Sequence, residues 1–380
     1  MGELRLPELG DRYNAAETYV DAHRAERPDA VAIRCQGASV SYGDMARNVD
    51  RCGNALRELG VDVEDRVVIL CLDSPAFVYA FFGAIKLGAI PVPTNTLLIS
   101  RDLAYILRDS RAVAIVVSAP LLPKVLEIRK ECPRLRHILV TTSGTSPLGG
   151  AQPSGVTSFE EALAAADDEL EPADTTPDDM CFWLYSSGTT GFPKGAVHLQ
   201  HDMIYSAETF GRHVLGCTEA DRYFTVSPLF HAYGLGNGVF VPMRYGASVV
   251  YKPERATPDL VYGIVTTEKP TVMYTAPTFY AAARVSRGGF QIRPLVAALL
   301  RIGGRVAPEA ALRHLEEAVR HRDPRRHRLD GDAPHLHLQP ARQRARRHER
   351  HGRSRVPGED RRRRRARARP RRDREPPRLR

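Results

Sequence analysis

Between residues 30 and 275 the sequence alternates short, continuous apolar runs with stretches of helical period, and few architectures accept that pattern. The runs at 30–35, 66–72, 112–118, 137–141, 180–186, 222–227, 247–251 and 271–275 are Val/Ile-rich and bounded by polar or turn residues. Runs of this kind read as strands buried on both faces. Helical patterns are expected at 42–59, 75–87, 100–110, 120–131, 158–167, 200–213, 257–267 and 277–286. In the first of these, Ser41 is placed to cap, Met45, Val49, Cys52, Ala55 and Leu56 recur on one face, and Gly60 ends the helix. The stretch 143–157 is rich in Gly, Ser and Pro and reads as a surface loop. The fold class expected is therefore α/β, with layered, mostly parallel sheets covered by helices on both faces.

Composition refines this. The chain has 380 residues, 43% of them hydrophobic, which excludes a wholly disordered polypeptide. It contains no apolar run of 18 residues, so no membrane span is expected. The opening MGELRLPELG lacks the basic-then-apolar order of a signal peptide. Cys35, Cys52, Cys71, Cys132, Cys181 and Cys217 are scattered, mostly in apolar runs. They read as buried, reduced thiols, and the localisation expected is cytoplasmic.

The net charge of +10 is an average over two unlike regions. Residues 301–380 hold 27 Arg, no Lys and 11 acidic residues, whereas residues 1–300 hold 28 basic and 34 acidic residues. The expectation is an acidic folded body over 1–300 and a disordered arginine tail over 301–380.

One loop carries most of the chemical information. Tyr185-Ser186-Ser187-Gly188-Thr189-Thr190-Gly191-Phe192-Pro193-Lys194-Gly195 follows the apolar run that starts at Met180. Three glycines let the backbone turn tightly and bring its N–H groups to an anion. Four hydroxyls add donors and Lys194 adds positive charge, as a triphosphate requires. The GxxxxGK[ST] spacing of a Walker loop is absent. The plain alternative is a flexible Ser/Gly surface loop.

YSSGTTGFPKG resembles the phosphate-loop signature of the AMP-forming, adenylate-forming enzymes, which include acyl- and aryl-CoA synthetases. The likeness extends over about residues 12–300. It includes Asn14-Ala15-Ala16, Asn54-Ala55-Leu56 before Gly60-Val61, Gly83 to Ala89 before Pro91-Val92-Pro93, Pro270-Thr271-Val272 and Ala276-Pro277-Thr278. Phe182-Trp183-Leu184-Tyr185, His198 to Met203 and Ala232 to Asn237 are similar to the benzoate-CoA ligase group. The resemblance implies two steps. A carboxylate attacks the α-phosphorus of Mg²⁺-ATP to give an acyl-adenylate, and the thiol of coenzyme A then displaces AMP. It implies that Ser186, Ser187, Gly188, Thr189, Thr190, Gly191, Lys194 and Gly195 bind the nucleotide, with Thr189 sharing contact with Mg²⁺. The partners implied are a small, aromatic carboxylic acid, ATP and CoA.

A second constellation, Ser227-Pro228-Leu229-Phe230-His231-Ala232-Tyr233-Gly234, leaves a strand and enters a helix. It resembles the family's acyl-pocket segment. His231 would gate the pocket, and Ala232, Tyr233 and Gly234 would wall it, with small residues admitting a flat ring. The plain alternative for His231 is a histidine satisfied at a helix start. Thr189, Lys194 and His231 are the residues expected to carry the chemistry. Trp183 reads as packing. Both constellations are expected to face one cleft.

The tail departs from the family. A Gly-x-Thr-Glu-type motif, a ribose-binding Asp and a lid bearing a Lys are implied after residue 300, and none is present. When GC-leaning codons are assigned to residues 302–341 and read one nucleotide later, the translation contains LDGTGSTEMLHIFISNR, which is similar to the benzoate-ligase continuation. The reading is a frame shift just upstream of Ile302, which leaves this exact chain with little or no activity. Two rivals are a ligase for a fatty or other aryl acid, and a non-catalytic chain whose Arg-rich arm binds nucleic acid through phosphates.

Overall fold

The computed structural model describes residues 6–145, 152–186, 191–275 and 279, and the backbone of 301–302 and 305–306. Residues 1–321 and 322–380 form separate units, and every described residue lies in the first. A π-helical turn, Glu17–Asp21, runs into α1 (Ala22–Glu26). β1 (Val31–Cys35) then turns back into β2 (Ala38–Ser41) through Gln36 and Gly37. Both loop residues have positive φ, 49° and 82°, as a turn matched to the strand twist requires. Ser41 caps α2 (Tyr42–Glu58) by accepting the Asp44 N–H at 3.0 Å, as expected from sequence.

β3 (Arg66–Leu70), α3 (Pro75–Leu87), β4 (Ile90–Pro93), α4 (Ser100–Asp109) and β5 (Ala114–Ser118) follow. Next come α5 (Leu122–Ile128), β6 (His137–Thr141), β7 (Thr157–Ser158) and α6 (Phe159–Ala165). β8 (Met180–Ser186) and β9 (Lys194–Leu199) form an antiparallel hairpin. After α7 (Asp202–Ser206), the helix expected over 200–213 continues as π-helix to Leu215. β10 (Arg222–Thr225), α8 (Ala232–Leu235), a π-helical turn (Gly236–Phe240), α9 (Val241–Arg244), β11 (Ser248–Tyr251), α10 (Pro258–Glu268) and β12 (Val272–Tyr274) follow. β10 stops two residues short of the expected run, just before Ser227-Pro228, where proline has no N–H to give a ladder. The helix expected at 277–286 lies, apart from Phe279, outside the described residues. So does the tail, save a two-residue backbone pairing of Arg301–Ile302 with Arg305–Val306.

Two five-stranded sheets result. The first, ordered β12-β10-β11-β1-β2, is parallel except for the β1–β2 hairpin, and the second, β4-β3-β5-β6-β7, is parallel throughout. Period-two alternation separates the faces of the second sheet. Val67, Ile69, Ala114, Val116 and Leu139 pack with Val49, Cys52, Phe77 and Phe81 of α2 and α3. Val68, Leu70, Ile115, Val117, Ile138 and Val140 pack with Leu103, Leu107, Val125 and Ile128 of α4 and α5. Both faces are thus dry, as the continuous apolar runs require. In the first sheet Tyr223, Val249 and Val272 join the larger core, whereas Phe224, Val250 and Met273 meet Val261 of α10.

A buried ionic cluster joins the helices. Lys86 Nζ of α3 lies 2.6 Å from Asp50 Oδ1 of α2 and 2.7 Å from Asp21 Oδ1, and Arg24 reaches Asp50 Oδ2 at 2.8 Å. All six cysteines are free, and five are buried. No helix among the described residues is long and apolar enough to cross a membrane.

Candidate functional site

The phosphate-loop candidate is the connection of the β8–β9 hairpin. Ser187, Gly188, Thr189 and Thr190 lie outside the described residues. The two limbs are described, and α4 holds both. Tyr185 and Gly195 are register partners, as are Ser186 and Lys194, and Ser186 Oγ donates to Lys194 O at 3.5 Å. On the outgoing limb, Tyr185 OH donates to Asp109 Oδ2 at 2.6 Å. Burial, reinforced by the Asp109 carboxylate, pushes the Tyr185 phenol well above its ordinary pKa, so it remains a donor. On the returning limb, after Gly191 (φ 153°), Phe192 stacks on Tyr105 with centroids 4.9 Å apart, and Tyr105 OH donates to Pro193 O at 3.2 Å. Lys194 is exposed at the start of β9. Trp183 packs inward against the second core, beneath the Arg66 guanidinium, as the packing expectation has it.

The second constellation leaves the carboxyl end of β10, and neighbouring β12 ends at Tyr274. In open parallel sheets this edge is where ligand crevices form. His231 is the residue before α8 and is exposed, with its ring 4.5 Å from that of Phe230. Its side chain makes no cap bond; its main chain donates to Pro228 O and accepts from Leu235 N–H. Partial desolvation lowers the imidazole pKa, which favours the neutral ring. Ala232 and Tyr233 are exposed, and Tyr233 meets Tyr274 edge-to-face at 6.0 Å. Gly234 is buried, and a Cβ there would lie 2.0 Å from Pro228 O, so the turn admits only glycine.

A shared aromatic cluster roots the two segments. Phe182 of β8 lies 5.5 Å from Phe240, which follows the pocket segment, and 5.5 Å from Phe81 of α3. His198 of β9 stacks on Phe182 at 4.4 Å and pairs with Asp202 at 3.2 Å.

Sequence reasoning missed several contributors. Tyr105 and Asp109 anchor the loop from α4, Tyr274 extends the Tyr233 wall, and Asp73 accepts the Leu229 N–H at 3.0 Å. Only Tyr274 had a local signal, its place at the end of an expected strand. Among the described residues no group of three His, Cys, Asp or Glu could hold a metal ion.

Comparison with known proteins identifies the family. The family model "AMP-binding enzyme" matches residues 20–325. The benzoate–CoA ligase of Thauera aromatica is 41% identical over 281 residues, which is 73% of this chain and 51% of the relative. The 4-hydroxybenzoate–CoA/benzoate–CoA ligase of Rhodopseudomonas palustris is 38% identical over 271 residues, 71% of this chain and 49% of the relative. Among solved structures, an anthranilate CoA ligase in complex with anthranoyl-AMP superposes with a TM-score of 0.68 at 37% identity, covering 72% of this chain and 52% of that one. A benzoate CoA ligase from Burkholderia xenovorans gives 0.64 at 34% identity, covering 73% and 53%. The chain spans about half the length of these relatives. With the loop, the parallel sheets and the family match in agreement, this chain belongs to the AMP-binding, adenylate-forming enzymes.

Proposed function

We propose that the chain carries the nucleotide- and acid-binding half of an AMP-forming aryl-acid–CoA ligase, with benzoate or a substituted benzoate as the acid. The observation that carries this reading is the likeness, at 37% identity over 72% of the chain, to a ligase solved with an aroyl-adenylate. In this reading Ser186, Ser187, Thr189, Thr190 and Lys194 hold the β- and γ-phosphates, and Gly188, Gly191 and Gly195 allow the backbone to approach them. Mg²⁺ arrives with the triphosphate as part of the substrate and shares Thr189. Nucleotidyl transfer needs charge neutralised and groups aligned more than it needs a covalent protein group. The aryl carboxylate, seated against His231, Ala232, Tyr233 and Gly234, attacks the α-phosphorus, and pyrophosphate leaves. The CoA thiol then attacks the acyl carbon, loses its proton, and AMP leaves. A neutral His231 adds a flat wall and a hydrogen-bonding edge without a competing charge.

The chain as written is expected to stop short of turnover. The Glu, Asp and lid Lys that the resemblance calls for are absent after residue 300. Removing one such contact at a transition state costs about 10²–10³ in rate. Frame restoration before Ile302 is therefore expected to raise benzoate-dependent pyrophosphate release by orders of magnitude. Equal rates from the two forms would defeat the frame-shift reading. The family match runs to residue 325, so the DNA across codons 295–325 is the direct check on where the frame changes. A panel of aryl and fatty acids tests the choice of acid.

A further inference from the structure

Asp73 sits in the connection between β3, a strand of the second sheet, and α3, and is 7% exposed. Its Oδ1 accepts the N–H of Leu229, a residue 156 positions away in the segment that leaves β10 of the first sheet. Other bonds of that segment are of a different kind. Val226 N–H donates to Tyr274 O on the adjacent strand, and His231 N–H donates back to Pro228 O inside the segment. Leu229 is fully buried, and its side chain lies so close to Gly238 that a Cβ there would come within 2.7 Å of Leu229 Cδ2. The midpoint of the turn is therefore held by its side chain from one direction and by Asp73 from another.

A carboxylate is a costly way to satisfy one backbone N–H. Burying it costs several kcal/mol more than burying a neutral acceptor. Buried Lys252, directly after β11, offsets part of that cost through its field, while its own Nζ bonds Glu254 O at 3.4 Å. A fold that needed only an acceptor here has cheaper choices. What the carboxylate adds is a strong, charge-assisted bond at the point from which His231 and Tyr233, two and four residues on, are displayed.

We infer that Asp73 is a positioning residue of the acid pocket: by holding the Leu229 N–H from the β3–α3 connection, it sets where His231 and Tyr233 stand. This deepens the reading of 227–234 as the acid wall and rests on it. Asp73 touches no reacting atom; it acts through the turn.

The test uses the full 380-residue chain and two variants, Asp73→Ala and Asp73→Asn. ATP and a sulfamate analogue of benzoyl-adenylate are titrated into each, and amide exchange is followed across 226–235, with β5 as the folding control. A hydrogen bond to a charged group is worth about 1.5–3 kcal/mol, or about 10- to 100-fold. Asp73→Ala is expected to weaken the analogue by at least about 10-fold, leave ATP within about 2-fold, and speed exchange at Leu229 with β5 unchanged. Asp73→Asn, which keeps an acceptor but loses the charge, is expected to restore part of both. Unchanged Leu229 exchange in Asp73→Ala, equal weakening of ATP and analogue, or no rescue by Asn would each overturn the inference. A wild-type chain that binds ATP but not the analogue would count against the aryl-acid reading instead, and Leu229 exchange would still decide whether Asp73 holds the turn.

Discussion

Tyr105 of α4 and Phe192 of the phosphate-loop candidate stack with ring centroids 4.9 Å apart and planes inclined by 17°, and the Tyr105 hydroxyl bonds the next carbonyl, that of Pro193. A loop dense in glycine and hydroxyls pays conformational entropy on binding a nucleotide, and this contact removes part of that cost in advance. An aromatic pair is worth about 0.5–1.5 kcal/mol beyond its buried area. Tyr105→Ala is therefore expected to weaken ATP about 3- to 10-fold, and Tyr105→Phe, which loses only the hydroxyl bond, by less. Trp183, the sole tryptophan, lies on β8 two residues before Tyr185 and serves as the fluorescent reporter. Equal affinity in Tyr105→Ala and the wild type would show that α4 does not prepare the loop.

Lys194 is the positive charge of the loop. Lys194→Met is expected to weaken ATP by about 10- to 100-fold, the range for one charge-assisted contact, and to weaken adenosine hardly at all. The same titration with both ligands reads this. Parallel losses for the two would move Lys194 away from the phosphates.

The cluster of Lys86, Asp50, Asp21 and Arg24 makes a stability prediction. Lys86→Met strands the Asp50 carboxylate, buried to 1% exposure, with Arg24 as its remaining cation. Breaking a buried pair by removing one partner costs about 3–5 kcal/mol. Urea unfolding is expected to show a loss of that size, with part of it recovered in Lys86→Met/Asp50→Asn. A loss under about 1 kcal/mol, the scale of a surface pair, would mean the cluster is far better solvated than its burial indicates.

Asp73 gives a pH dependence of definite sign. Burial pushes its carboxyl up from 3.8 to about 6, against the lowering effects of the Leu229 N–H and Lys252. A raised folded pKa means that the native state holds the proton more tightly than the unfolded chain does. The contribution to stability is complete below about pH 4 and is lost as the pH rises through about 6. At about 1.4 kcal/mol per pKa unit, the loss is on the order of 2–3 kcal/mol. Asp73→Asn is expected to be more stable than the wild type above pH 6, with the gap closing toward pH 4. A difference independent of pH would assign the effect to packing. Tyr251 and Cys35, the other titratable neighbours, keep their protons throughout this range because burial raises both.

What the sequence disclosed and what it withheld divide along range. β3, α3, β6 and β8 lie within two residues of their expected bounds because apolar content, a proline at a helix start and a closing glycine are all local signals. β2 was missed because its turn is Gln36-Gly37, outside the usual Asn-Gly and Asp-Gly pairs. β4 was missed because two prolines in Ile90-Pro91-Val92-Pro93 argue against a strand. The structure shows why they are tolerated. Ile90 and Thr94 donate their N–H groups to Asp65 and Ile69, and the alternation turns Pro91 and Pro93 away from β3. In the site, hydroxyls, glycines and Lys194 were legible as a loop. Tyr105, Asp109 and Asp73 were not, because each acts on a residue at least 76 positions distant and none belongs to a motif.

The prolines of β4 also bear on how its sheet ends. β4 terminates its sheet, and a terminal strand is where a second chain finds a row of donors to pair with. Pro91 and Pro93 occupy the positions that would supply those donors, so this margin offers carbonyls alone. All four β4 residues are buried and β8 lies against the strand, so the ladder ends inside the fold without stranding unpaired N–H groups there.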